Sequence, residues 1–176
     1  MNYADIKQYD VANGPGVRVS LFVSGCTHHC KNCFNKEAWD FSYGKPFTEE
    51  TQEQILSYLG KSYVRGLTLL GGEPFERENQ KALLPFVKKV KERFPEKDIW
   101  AFSGYDFEKD ITAYMYREWE PTKELLSYID VLVDGEFVEE QKSLKLRFKG
   151  SANQRTILVQ ESLAAGTVIL YDLSIK

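Results

Sequence analysis

The stretch Val17-Arg-Val-Ser-Leu-Phe-Val-Ser-Gly-Cys26-Thr-His-His-Cys30-Lys-Asn-Cys33 joins an apolar, β-branched run to a loop that holds all three cysteines of the chain. Apolar and polar side chains partly alternate over residues 17–24, and the segment is rich in valine, which predicts a strand. The spacing C-x3-C-x2-C brings three thiolates close enough to face one small inorganic centre. A structural zinc or a ferredoxin-type cluster normally takes four protein ligands. Three ligands leave one metal position for another molecule to bind.

The composition is that of an ordinary globular chain. At 176 residues, a single domain spanning residues 1–176 is expected. A net charge of −3 gives no overall attraction to nucleic acid or to an anionic membrane. We find no signal peptide and no apolar run of membrane-spanning length, so we expect a cytoplasmic protein. An odd, clustered set of cysteines is not a disulfide framework and fits reduced, metal-binding thiolates better.

Strands and helices are predicted to alternate beyond the cysteine loop, which itself covers residues 25–46. A first helix is predicted from a Thr48 cap to Leu59, and a second along the apolar stripe Leu83–Phe94, with Pro85 at a first turn or a kink. One or two further helical pieces are predicted over residues 107–128, with a break near Pro121. Further strands are predicted at residues 67–70, 98–103 and 129–133, with late candidates at residues 155–159 and 167–171.

Alternating strands and helices indicate a parallel sheet with right-handed crossovers, in which ligands gather at the carboxyl ends of the strands. The unusual residues fall at those ends: the cysteine loop, Gly71-Gly72-Glu73-Pro74, Ser103-Gly104-Tyr105 and Asp134-Gly135. We therefore expect one site. A complete eight-unit barrel needs roughly 250 residues. The predicted fold is consequently α/β, an incomplete and open parallel β/α barrel.

The cysteine spacing resembles that of the radical S-adenosylmethionine (SAM) superfamily, and Gly71-Gly72-Glu73-Pro74 looks like its second motif. Other segments narrow the resemblance to the activating enzymes of anaerobic (class III) ribonucleotide reductase. They are Asn13-Gly-Pro-Gly-Val-Arg-Val-Ser-Leu-Phe-Val-Ser-Gly-Cys26, Trp100-Ala-Phe-Ser-Gly-Tyr105, Asp130-Val-Leu-Val-Asp-Gly-Glu-Phe137 and Gly150-Ser-Ala-Asn-Gln-Arg155. The resemblance covers about residues 2–159, and the order and spacing of its motifs are specific.

The resemblance implies that Cys26, Cys30 and Cys33 bind three irons of a 4Fe-4S cluster and that SAM chelates the fourth. One electron from the reduced cluster then cleaves SAM, and the resulting 5′-deoxyadenosyl radical takes a hydrogen from a glycine of the large reductase subunit. A flavodoxin-like or ferredoxin-like protein supplies the electron, under anaerobic conditions. No side chain need act as acid, base or nucleophile, because the cofactor carries the chemistry.

Candidate SAM contacts lie next to the cysteines and at the strand ends, and each could also be an ordinary turn or core residue. They are Asn32, Phe34, Gly71, Gly72, Glu73, Pro74, Ser103 and Asp134. Asp134 could bind SAM or a cation near its carboxylate. The SAM ammonium is expected to donate hydrogen bonds either to backbone carbonyls of the Gly71-Gly72-Glu73-Pro74 segment or to the Glu73 carboxylate. The roles of Arg18, His28 and His29 stay open.

Two other functions fit part of the sequence. A zinc-stapled interaction module would use the three cysteines with His28 or His29 as the fourth ligand. An activase of another glycyl-radical enzyme, such as pyruvate formate-lyase, would use the same chemistry on a different partner. The basic run Lys142–Lys149 is either solvated surface or a surface that docks the partner.

Overall fold

The structure is a computed structural model that describes residues 1–173. Its strands are β1 (Asn2–Asp10), β2 (Val17–Val23), β3 (Lys45–Pro46), β4 (Val64–Gly71), β5 (Asp98–Phe102), β6 (Val131–Asp134) and β7 (Arg155–Leu158). The α-helices are α1 (Glu49–Leu59), α2 (Arg77–Arg93), α3 (Tyr116–Glu118), α4 (Glu120–Tyr128) and α5 (Val159–Ala165). A π-helix (Phe107–Met115) and two 3-10 turns, Lys36–Trp39 and Glu139–Gln141, complete the described elements.

The seven strands form one mixed sheet in the order β3-β1-β2-β4-β5-β6-β7. The four inner strands β2, β4, β5 and β6 are parallel, as the alternating pattern predicts. The expectation of a wholly parallel sheet is wrong at both edges, where β1, β3 and β7 pair antiparallel with their neighbours. The antiparallel β1 has a largely polar, half-exposed sequence, so it lacks the apolar run that marks the inner strands.

Most helix predictions are confirmed at their start or end. Thr48 caps α1 by accepting a hydrogen bond from the Thr51 N–H, and Gly60 follows the last residue of the helix. Pro85 lies inside α2, so it does not mark a first turn. The break in residues 107–128 falls at Trp119, with Pro121 in the first turn of α4. The late segment 167–171 is not a strand and contributes one isolated bridge, from Leu170 to Ile157.

Alternation along the inner strands gives the sheet one apolar face and one partly polar face. Val19, Leu21 and Val23 of β2 join the core that packs against the helices. Arg18 and Ser20 occupy alternate positions of the same strand and are buried on the opposite face. The cavity described below opens on that opposite face, where Leu70 and Phe102 are part of its wall and Arg18 and Ser20 are not.

Arg18 is fully buried and ties β2 to β4, β5 and the turn of residues 13–16. Its guanidinium donates to the Thr68 hydroxyl at 2.7 Å and to the Leu67 carbonyl at 2.8 Å, and it pairs with Asp98 at 2.6 Å. A Cβ on Gly14 would lie 2.7 Å from the Arg18 Cδ, so the turn closes directly over this side chain. The structure therefore gives Arg18 a role in holding the sheet and the turn together.

Replacing Arg18 with methionine should destabilise the protein by about 3 kcal/mol, because it removes the buried partner of Asp98 and unpairs the Thr68 and Leu67 acceptors. The matched control is Arg65→Met, which breaks an exposed ion pair with the same Asp98 and should cost about 1 kcal/mol or less. Urea unfolding of the metal-free protein measures both. Equal effects of the two substitutions would contradict this role.

Candidate functional site

A cavity of about 460 Å³ opens at the carboxyl ends of the four parallel strands. Its wall includes all three cysteines, the Gly71-Gly72-Glu73 segment after β4, and Ser103-Gly104 after β5. Leu70 and Phe102, the apolar ends of two neighbouring strands, lie between them. The sequence motifs that were expected to meet at one site therefore share one cavity.

The cysteine loop is held at its base by backbone hydrogen bonds. Gly25 N–H donates to the Ala38 carbonyl at 2.8 Å and Cys26 N–H to the Trp39 carbonyl at 3.2 Å, which closes the loop on itself. Cys26 is buried, whereas Cys30 and Cys33 are partly exposed towards the cavity. Burial raises the pKa of the Cys26 thiol to about 12 and also raises that of Cys30, so a bound cation is needed to hold both as thiolates.

The Glu73 carboxylate is buried and accepts four hydrogen bonds. One oxygen accepts from the Phe75 N–H at 2.8 Å and the Ser103 hydroxyl at 2.9 Å. The other accepts from the Gly104 N–H at 2.7 Å and pairs with His28 Nε2 at 3.0 Å. Such a carboxylate has no free lone pair of good geometry. The structure thus assigns it to joining three loops, and a ligand ammonium has to find other acceptors.

His28 and His29 differ although they are neighbours. Both ring nitrogens of His28 face carboxylates, Glu73 on one side and Glu136 on the other at 3.1 Å. Burial alone lowers the pKa of His28, but the hydrogen bonds and charges of those carboxylates outweigh it and raise the pKa to about 9. His29 is exposed and stacks on Trp39 with ring centres 4.6 Å apart. With both nitrogens of His28 engaged, it is not positioned as a zinc ligand.

Gly71, the last residue of β4, and Gly72, which follows it, are needed for contacts within the chain itself. Gly71 has a φ of +109°, and a Cβ there would lie 2.7 Å from the backbone of β2. A Cβ on Gly72 would lie 2.5 Å from the Gly25 carbonyl oxygen and 2.9 Å from that of Ala38. Gly25 and Ala38 are paired at the base of the cysteine loop. The absence of side chains therefore lets the loops of β2 and β4 touch.

Other predicted contact residues are divided between the cavity and the interior. Asn32, with a φ of +55°, and Phe34, whose side chain is 84% exposed, both line the cavity. Pro74 is buried and is not part of the wall. Asp134 also lies off the wall: its carboxylate binds Arg155 at 2.5 Å and accepts from the Phe107 N–H at 2.9 Å. Asp134 lines a second, neighbouring pocket, so its assignment as a ligand contact stays a prediction.

The segment that follows β6, residues 136–150, covers one side of the cavity and was not predicted as part of it. Phe137, Leu146 and Phe148 contribute apolar wall, and Lys142 and Lys149 contribute charge. Phe148 has a φ of +54°, a strained value for a bulky residue, and packs edge-on against Trp100. The basic sequence of this segment was read as surface or docking surface, because charge alone does not reveal which apolar neighbours turn inward.

Among residues 1–173, no three His, Cys, Asp or Glu side chains converge on a point where a single metal ion could be held. Three cysteine thiolates on one cavity wall are soft donors of the kind that an iron–sulfur cluster takes.

Comparisons with known proteins agree with this donor set. A family model described as a 4Fe-4S single cluster domain matches residues 12–157. An anaerobic ribonucleoside-triphosphate reductase-activating protein of Pasteurella multocida is 44% identical over 88% of this chain and 95% of its own length. The chain belongs to this family of activating proteins. Other members include those of enterobacteria phage T4, 44% identical over 88% of this chain and 92% of its own, and Escherichia coli K12, 38% identical over 88% and 96%.

Replacing Gly72 with alanine should lower the free energy of unfolding by about 2 kcal/mol, because the new Cβ would meet two backbone carbonyls that cannot move independently. Gly60→Ala is the matched control, since a Cβ there finds only ordinary contacts at 3.6 Å. Denaturant unfolding of the metal-free protein compares them. If Gly72→Ala proves no more costly than Gly60→Ala, the loops do not touch as described.

Proposed function

We propose that this chain is a radical SAM activating enzyme, which reductively cleaves SAM at a 4Fe-4S cluster and generates a glycyl radical on the large subunit of anaerobic ribonucleotide reductase. The observation that carries the proposal is the meeting of three cysteines and the Gly-Gly-Glu segment on one cavity wall, in a chain of this family. A cavity of about 460 Å³ is within the range that binds small molecules and cofactors.

The residues present fit the cluster. Cys26, Cys30 and Cys33 supply soft sulfur ligands on one loop, which is the preference of iron–sulfur centres. Both ring nitrogens of His28 face carboxylates, so His28 is not poised to supply a fourth ligand. His29 stacks on Trp39 through its ring face, a contact that does not engage its nitrogens. The engagement of His28 supports a cluster with one iron left for SAM over a zinc-stapled module that would use His28.

Cys26, Cys30 and Cys33 would hold the cluster, which when bound would supply the one electron that reductive cleavage of SAM needs, with methionine as the leaving group, so that a hydrogen could be taken from the glycine of the partner. The protein's own residues position the reactants and exclude water. Backbone carbonyls of the Gly71-Gly72 segment are the proposed acceptors for the SAM ammonium, because the Glu73 carboxylate is already saturated. Asn32 and Phe34 are proposed adenine contacts beside Cys33.

Ser103 supports the site indirectly in this proposal. Its hydroxyl donates to Glu73 and accepts from the Tyr105 N–H at 3.1 Å, so it shapes the loop after β5. The structure shows a mixed seven-stranded sheet. We propose that its four parallel strands, which carry these loops, are the catalytic part of an incomplete, open β/α barrel of the radical SAM type. The single domain of residues 1–176 is proposed to be this radical SAM domain.

The partners follow from the chemistry. The reductase large subunit brings the glycine, and a flavodoxin-like or ferredoxin-like protein brings the electron. We propose a cytoplasmic setting without nucleic acid or membrane partners. Across residues 1–173, none of the helices has the length and apolar character needed to cross a membrane.

Serine at any one of Cys26, Cys30 or Cys33 should reduce SAM cleavage at least about 100-fold, because loss of a thiolate ligand removes or misplaces the cluster. The control is Lys31→Ala in the same loop, whose side chain is 74% exposed and makes a surface ion pair. Iron and sulfide analysis after anaerobic reconstitution, with 5′-deoxyadenosine quantified by chromatography, provides the measurement. Substantial turnover by a serine variant would be incompatible with ligation by three thiolates.

Electron paramagnetic resonance should detect a glycyl radical when the reconstituted protein, SAM and a reductant are mixed with the anaerobic reductase large subunit. The same mixture with pyruvate formate-lyase should give no such signal, since the relatives named above are reductase-activating proteins. A signal from pyruvate formate-lyase alone would move the assignment to the other class of activase. Cluster assembly and SAM cleavage without a radical on either protein would refute both partners.

A further inference from the structure

His28 belongs to the loop after β2, and its ring lies between the loops after β4 and β6. Its Nε2 lies 3.0 Å from Glu73 after β4, and its Nδ1 lies 3.1 Å from Glu136 after β6. The ring packs edge-on against Tyr105 with centres 4.3 Å apart. A Cβ on Gly104 would lie 2.6 Å from its Cδ2, so the loop after β5 closes directly over it. One side chain thus contacts the loops of three other strands.

Both partners of the imidazole are carboxylates, which accept hydrogen bonds when ionised. Each ring nitrogen must therefore donate to use both contacts. Only 9% of the His28 side chain and 1% of the Glu73 side chain are exposed, so the pair is shielded from water. A buried carboxylate needs a compensating partner, and breaking such a pair is costly. The contact is thus built into the interior of the site and differs from a chance surface pairing.

We propose that His28 is a positioning residue: it holds the cysteine loop in its cluster-binding shape by bonding to Glu73 on one side and to Glu136 on the other. The inference rests on the proposed function for what the loop binds, and it adds a role that the three cysteines and the Gly-Gly-Glu segment do not supply. His28 does not itself touch the reacting atoms. It sets where Cys26 and Cys30, two residues away on either side, stand relative to the loops that would hold SAM.

One further contact supports this connection between the cysteine loop and the segment after β6. Lys31 pairs with Glu140 at 3.0 Å. The Lys31 pair is exposed and contributes little by itself. The His28 contact is the buried one, so we expect it to determine whether the cysteine loop and the cavity wall keep one arrangement.

The first test uses the full-length, reduced, metal-free protein and needs neither SAM nor a partner. In His28→Gln, alkylation of Cys26 by iodoacetamide should be about tenfold faster than in the unchanged protein, because the loop opens more often once the charged hydrogen bonds are lost. In the matched control His29→Gln, the rate should stay within about twofold. Mass spectrometry of the modified peptide measures the rate.

The second test separates positioning from a purely structural role. After anaerobic reconstitution, the electron paramagnetic resonance spectrum of the reduced cluster is followed as SAM is added. The SAM concentration for half-saturation should rise about tenfold in His28→Gln and stay within about twofold in His29→Gln. Faster Cys26 alkylation with an unchanged SAM titration would overturn the positioning role. Unchanged behaviour in both tests would overturn the contact itself.

Glu136 provides a variant that leaves the buried Glu73 pair intact, since 59% of its side chain is exposed. Glu136→Ala should accelerate Cys26 alkylation about threefold, and combining it with His28→Gln should add nothing further. If circular dichroism shows that His28→Gln is unfolded, the Glu136→Ala variant decides the question. A rate of Cys26 alkylation no faster in Glu136→Ala than in the unchanged protein would then refute the proposal. A glycyl radical that fails to form while both His28 tests succeed would count against the proposed function and leave the role of His28 standing.

Discussion

The buried Glu73 carboxylate gathers hydrogen-bond donors from three separate loops, and the arrangement of the site depends on it. The donors come from the loop after β2 through His28, from its own loop through Phe75, and from the loop after β5 through Ser103 and Gly104. A carboxylate taken out of water is tolerated only when its lone pairs are satisfied. The need to satisfy this one group therefore fixes the relative positions of loops that are far apart in sequence.

Glycines and a second buried charge complete the framework. Gly71 and Gly72 let the base of the cysteine loop approach β4 to backbone contact, which a side chain would prevent. The buried Arg18 of β2 binds Thr68, the Leu67 carbonyl and Asp98, and the turn at Gly14 closes over its side chain. The cysteines are thus presented by a loop whose two flanks are anchored in the interior, whereas their sulfur atoms face a cavity. Such support around a metal site orients the ligands before the metal arrives.

Much of the site could be predicted from the sequence because its residues lie at strand ends. The pattern around Cys26, Gly72 and Ser103 places each motif after an apolar strand, and the carboxyl ends of parallel strands meet at one edge. Asp134 obeys the same rule, yet its carboxylate turns to Arg155. That pairing joins residues 21 positions apart, and no local pattern reveals it.

Other features escaped prediction for similar physical reasons. Strand β1 is largely polar and is stabilised by pairing with β2 on one side and the short β3 on the other, so its own sequence carries little strand signal. The sequence does not decide whether His28 is a ligand or a loop residue, because its partners Glu73 and Glu136 lie 45 and 108 positions away. Side chains on residues 136–150 reach the cavity only through the tertiary fold. The motif residues were thus accessible to sequence reasoning, and the long-range contacts that hold them were not.

The central claim is that three thiolates hold a 4Fe-4S cluster and leave one iron to SAM. Mössbauer spectroscopy of the protein reconstituted with iron-57 measures this most directly, with spectra recorded before and after SAM is added. The account predicts that about one iron in four changes its isomer shift on adding SAM, whereas the other three keep the signature of sulfur ligation. Four equivalent, sulfur-ligated irons that ignore saturating SAM would contradict it.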